Sequence, residues 1–254
     1  MLPHRTETDS TRHAGRALWA GAGVRLEGSG RVELALHPGG YVRFGEEWVL
    51  VAIPRAPRGP LTLAVTGLER APLRVGDEAV VAGGSRPPAL YVGALCVDLS
   101  GLAPPFALAP PPLSPGWRTA LTAALEAAPP VPPELISGLA ALRKGELTEA
   151  LLALAGRGEG LTPAGDDVLA GYAAWRHAEG RPEGTLIAER CSPLGLAYLR
   201  CAVRGELPEA AAAVLRAVRG GDADAARRRA RGLSRWGASS GHAILWGMAA
   251  GACS

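Results

Sequence analysis

The chain has 254 residues, 48% of them hydrophobic, which is enough to bury one large core or two smaller ones. Its apolar runs are short and broken by glycine or charge, so none reads as a membrane span. The net charge of +3 comes almost wholly from arginine, with Lys144 the single lysine and no asparagine or glutamine, a bias that fits a GC-rich or thermophilic source and gives little argument for nucleic acid.

Residues 1–13 are polar and mixed in charge, with no apolar stretch of the kind a signal peptide needs. They read as a disordered tail on a cytoplasmic protein. From 14 to 110 the signals are those of strands. Arg31 to Leu36 alternates polar and apolar, and Tyr41–Phe44 and Trp48–Ile53 are set to pair across Gly45-Glu46-Glu47 as a hairpin. Leu61–Val65, Glu78–Ala82 and Ala89–Val97 continue the series, so the expectation is a small antiparallel barrel or sandwich. A proline-rich connector with one short helix, Trp117–Ala127, fills 111–133. The rest, 134–254, is helical in pattern, and the fold class is α+β: a β-rich part followed by an α-helical bundle domain.

Within the helical part lies the most informative stretch, Gly156-Arg157-Gly158-Glu159-Gly160-Leu161-Thr162-Pro163-Ala164-Gly165-Asp166-Asp167. Glycines give a freely bent loop. Thr162-Pro163 then reads as an N-cap followed by a proline at the first helical position, with two carboxylates in the first turn. A second loop echoes it. Gly165 to Ala174 can be laid over Gly241 to Ala250 so that both glycines, a leucine and the paired alanines coincide, with Val168 matching Ile244. The expectation is that the two helices pack together and open their N-termini at one place.

Helix N-termini favour anions. Ser239 and Ser240 suit that role, and Arg157 could clamp a carboxylate or phosphate with its planar fork. Asp166 and Asp167 would repel a bare phosphate. They fit a Mg²⁺ ion bridging them to the ligand, or a cationic or amide N–H group, or simply a capped and dipole-matched first turn. His242 is placed to act as acid or base near neutral pH, or merely to sit in a helical turn. The candidate catalytic residues are thus Asp166, Asp167 and His242, and the candidate binding residues Arg157, Gly160, Thr162, Gly165, Ser239, Ser240 and Gly241, around a small anionic metabolite. Cys96, Cys191, Cys201 and Cys253 form no CxxC pair, so they read as reduced thiols. Arg227-Arg228-Arg229-Ala230-Arg231 reads as a solvated helix face rather than a phosphate-binding patch.

The string Gly158-Glu159-Gly160-Leu161-Thr162-Pro163-Ala164-Gly165-Asp166-Asp167, the later Gly237-Ala238-Ser239-Ser240-Gly241, and the segment Ser192 to Glu206 between them resemble the AllH-like family. The likeness covers most of 134–254, and Ala164 stands where the family usually has serine. The resemblance implies a subunit of an oxamate carbamoyltransferase, moving a carbamoyl group between carbamoyl phosphate and oxamate in ureide catabolism alongside FdrA-type partner subunits. A non-catalytic scaffold or regulatory metabolite-binding subunit of such a complex is the alternative, and a homo-oligomer is compatible with either. Nucleic-acid binding through Arg227 to Arg235 ranks last.

Overall fold

Period-two alternation turns one face of each strand inward: Val49 and Val51, Leu63 and Val65, Leu90 and Val92, and Leu95 and Val97 are all buried. In the computed structural model, which describes residues 12–83, 88–102, 110–184 and 190–254, these side chains fill a closed barrel. Its strands are β1 (His13–Ala20), β2 (Ser29–Leu36), β3 (Gly39–Phe44), β4 (Glu47–Ala52), β5 (Thr62–Val65), β6 (Glu78–Ala82), β7 (Ala89–Val92) and β8 (Leu95–Asp98). Around the barrel they run β1-β5-β4-β3-β2-β6-β7-β8, and β8 closes onto β1. Closure leaves no exposed edge.

Three expectations are corrected here. His13 opens β1, pairing with Leu95, instead of ending a tail, while residues 1–11 lie outside the described residues. The single strand expected over Ala89–Val97 is a hairpin, β7 and β8, turned at Gly93, whose φ of 52° suits glycine. The barrel is not wholly antiparallel, because β1–β8 and β4–β5 are parallel. A parallel β4–β5 pair needs a crossover rather than a tight turn, and residues 53–61 supply it.

The chain divides into two compact units, Met1–Ala56 with Leu61–Phe106, and Pro57–Pro60 with Ala107–Ser254. In the second, the described residues form α1 (Trp117–Leu125), α2 (Pro133–Lys144), α3 (Leu147–Leu154), α4 (Ala164–Ala178), α5 (Pro193–Val203), α6 (Glu209–Gly220), α7 (Ala223–Leu233) and α8 (Ser240–Gly251). Pro57–Pro60 is held to the helices where the Glu209 N–H donates to the Arg58 carbonyl at 2.9 Å.

α4 and α8 are the central pair. α4 is buried on every side from Gly165 to Trp175, and α8 is buried over most of its length, as expected of helices apolar all round. α4 touches both apolar clusters of the unit: Val168, Leu169, Tyr172 and Ala173 sit in one, Ala174 and Trp175 in the other. The two helices cross at glycines in a reciprocal manner. A methyl on Gly171 would strike the Ile244 carbonyl oxygen, and one on Gly247 would strike that of Val168. No helix among the described residues is long and apolar enough to cross a membrane.

Candidate functional site

The loop between α3 and α4 turns on three glycines in the left-handed region, Gly156, Gly158 and Gly160, at φ of 71°, 111° and 98°. Its ends are fixed by two backbone bonds. The Arg157 N–H donates to the Leu154 carbonyl at 2.8 Å, and the Gly165 N–H donates to the Arg157 carbonyl at 2.8 Å. The same frame recurs between α7 and α8. There the Trp236 N–H donates to the Leu233 carbonyl at 2.8 Å, and the Gly241 N–H to the Trp236 carbonyl at 3.0 Å. In each copy the first glycine of the following helix lies against the carbonyl at the end of the preceding one, Gly165 on Leu154 and Gly241 on Leu233, where no Cβ would fit. The overlay of the two segments in sequence is therefore matched by a shared loop geometry and by the reciprocal crossing of α4 and α8.

The two loops meet through side chains. The Thr162 hydroxyl lies 3.2 Å from the Ser240 hydroxyl, and either can donate. Thr162 is not the N-cap that the sequence suggests. Pro163 takes that position with extended ψ of 143°, the helix begins at Ala164, and the threonine side chain is left to face α8.

Asp166 and Asp167, adjacent in sequence, have opposite circumstances. Asp166 is 1% exposed, and both its oxygens accept backbone N–H groups: Oδ1 from Gly156 at 2.7 Å and Oδ2 from Ser192 at 2.9 Å. It thereby ties the glycine loop and the start of α5 to α4. Ser192 in turn caps α5, its Oγ accepting from the Gly195 N–H at 3.0 Å and donating to the Leu161 carbonyl at 3.0 Å. Asp167 is 5% exposed, and its Oδ2 has no hydrogen-bond partner among the described residues. Burial pushes its carboxyl up to about 7; the Ser240 and Thr162 hydroxyls that face it act in the opposite direction, and the Asp166 charge adds to the rise.

The pairing of Asp166 with Asp167 as metal ligands does not suit this donor set. Mg²⁺ takes free carboxylate oxygens in near-octahedral geometry. Those of Asp166 are committed to backbone amides, which leaves the Asp167 carboxylate alone to meet an ion. The described residues also contain no group of three or more His, Cys, Asp and Glu side chains able to hold an ion.

The remaining sequence candidates are distributed around this centre. Ser240 is buried, with its hydroxyl on Thr162. Ser239 is half-buried at the N-cap of α8 and makes no side-chain capping bond. Gly160 and Arg157 are exposed, the Arg157 Nε lying 3.5 Å from the Ala153 carbonyl. His242 is half-buried, its ring stacked on Trp246 at 6.2 Å between centroids, and it makes no hydrogen bond to the Asp167 group. Gly156 and Gly195 belong to the site's framework although neither stood among the candidates. The Ser192-Pro193 start of α5, a capping serine followed by proline, was the sequence signal for that third helix end.

Residues 154–252 match the family described as oxamate carbamoyltransferase subunit AllH. This segment is AllH-like. The match begins at the last residue of α3 and ends just past α8, so it contains both loops, α5 and every residue that meets at Asp167. It is shorter than the likeness seen in sequence, leaving α2 and nearly all of α3 outside, and it includes none of the barrel. No curated protein and no solved structure matches the chain.

Proposed function

We propose that the chain is a subunit of a carbamoyltransferase of the oxamate and carbamoyl phosphate type, holding its small anionic substrate where the N-termini of α4 and α8 meet. One observation carries this reading within the AllH-like segment. Asp167 is buried between two helix starts with one carboxylate oxygen left without a partner, an arrangement that costs stability unless a ligand uses it.

The reaction needs orientation and a proton acceptor more than covalent help from the protein. The oxamate amide nitrogen attacks the carbonyl carbon of carbamoyl phosphate, a C–N bond forms, and the C–O bond to phosphate breaks with its electron pair leaving on phosphate. Asp167 accepts the N–H proton and passes it to the departing phosphate. A carboxyl pushed up to about 7 is matched to that task near neutral pH. Thr162, Ser239, Ser240 and the exposed Arg157 supply donors to carboxylate and phosphate oxygens, reinforced by the positive ends of the two helices. Partner subunits of the FdrA type complete the enzyme.

The test is turnover of carbamoyl phosphate and oxamate by the chain reconstituted with its partner subunits. Asp167→Asn should lower kcat by about 10²-fold or more without loss of thermal stability, and the wild-type rate should rise through pH 7 as the carboxyl ionises. Unchanged turnover in Asp167→Asn, together with loss of metabolite binding alone, would replace this reading with a regulatory subunit.

A further inference from the structure

We infer that a second ligand site, separate from the Asp167 centre, lies in the groove between α6, α7 and the Pro57–Pro60 segment, and that it takes a nucleotide-like ligand: a di- or polyphosphate carrying a planar group.

The groove has a volume of about 340 Å³, within the roughly 300–1,000 Å³ of small-molecule sites. Arg58, Glu209, Ala213, Arg228, Arg229 and Trp236 are among its lining residues. Glu209 is the single acid among the groove's lining residues; its carboxylate reaches Arg58 only at 3.7 Å, with both side chains more than half exposed, which is a weak pair. Among the described residues Arg228 and Arg229 make no hydrogen bond or ion pair, in contrast to their neighbour Arg227, which is tied to Glu126 at 2.9 Å and Asp224 at 3.1 Å. The arginine run is thus split: one guanidinium serves the fold and two are offered to the groove. Arg216 of α6 adds to the positive field. Its proton is held less firmly than usual because of burial first and the Arg229 charge second, with Glu209 opposing.

A phosphate chain answers each of these features. Guanidinium forks bind phosphate oxygens in pairs, and an anion among Arg58, Arg228, Arg229 and Arg216 relieves the repulsion between like charges. Small residues such as Ala213 leave room between the helices. Trp236, half-buried, gives a planar group an aromatic face on which to stack. An acidic peptide would satisfy the arginines but has no use for the indole.

The test is isothermal titration of the full chain with ADP, with inorganic pyrophosphate and with a poly-glutamate peptide. The inference expects saturable ADP binding that weakens with added salt, that falls at least tenfold in Arg228→Gln/Arg229→Gln, and that also falls in Trp236→Leu while Trp236→Phe retains it. Circular dichroism confirms that each variant is folded, and Asp167→Asn should leave ADP affinity unchanged, which separates this site from the proposed transfer centre. Absence of saturable ADP binding, or binding indifferent to these arginines, overturns it. Pyrophosphate binding as tightly as ADP overturns the nucleotide assignment, and peptide binding in place of ADP overturns it in favour of a protein partner.

Discussion

Two neighbouring aspartates show how far environment outweighs identity. The buried Asp166 accepts two backbone N–H groups, and Asp167 keeps an oxygen with none among the described residues. They should respond to substitution in opposite ways. Asp166→Ala removes both bonds and should cost about 1–3 kcal/mol, seen as a lower melting temperature along with loss of order in the glycine loop. In sequence the two acids stand side by side, and nothing there separates their roles. For Asp167 the native state binds the proton more tightly than the unfolded chain does, because its carboxyl is pushed up to about 7 from the ordinary carboxylate range. Stability is therefore reduced as pH rises through the window from about 4 to 7, and the penalty is complete above it. The gap sets an upper bound of roughly 4 kcal/mol. Asp167→Asn should melt higher than wild type at pH 8, with the difference shrinking toward pH 5; a pH-independent difference would contradict the buried, unpartnered carboxyl.

At the level of elements, the crossing of α4 and α8 depends on the absence of two side chains. Gly171→Ala or Gly247→Ala drives a methyl into a carbonyl oxygen of the partner helix. Each should cost at least about 1–3 kcal/mol, measured by denaturant unfolding, and should disturb the Thr162–Ser240 contact that depends on the same helix placement. Both glycines were visible in the sequence overlay, and so was the packing of the two helices. The hidden part was the job of each polar residue in the first turns. Thr162 reads as a cap because threonine before proline usually is one, yet tertiary packing gives its hydroxyl to Ser240 and leaves the cap to Pro163. Period and turn residues placed β2 to β6 within a residue or two. They missed β1, where only Ala17 is fully buried in eight residues, and ran β7 and β8 together across a turn of two residues. His242 is a plausible base by position alone; its ring rests on Trp246, a contact four residues along the same helix that single-residue reasoning does not weigh.

For the molecule as a whole, the barrel has its own apolar cluster and the helical unit has two others. A core lesion in the barrel should therefore be legible in the barrel. Leu63→Ala, at a fully buried position, should cost about 2–5 kcal/mol, followed through Trp48, which lies on β4. The α+β order was legible because the hydrophobic period changes from two to the helical spacing along the chain. A barrel stood in the sequence as one of two forms beside a sandwich; its strand order and parallel pairs were not legible, since they depend on pairings distant in sequence. The two loops add a further consequence. Laying Gly165 on Gly241 sets Asp167 opposite Ala243 and Asp166 opposite His242. The halves agree in backbone and differ in chemistry: one brings a carboxylate to the meeting point and the other a methyl group. A molecule seated there meets two unlike walls in a nearly symmetric frame, and so has one orientation in which to bind.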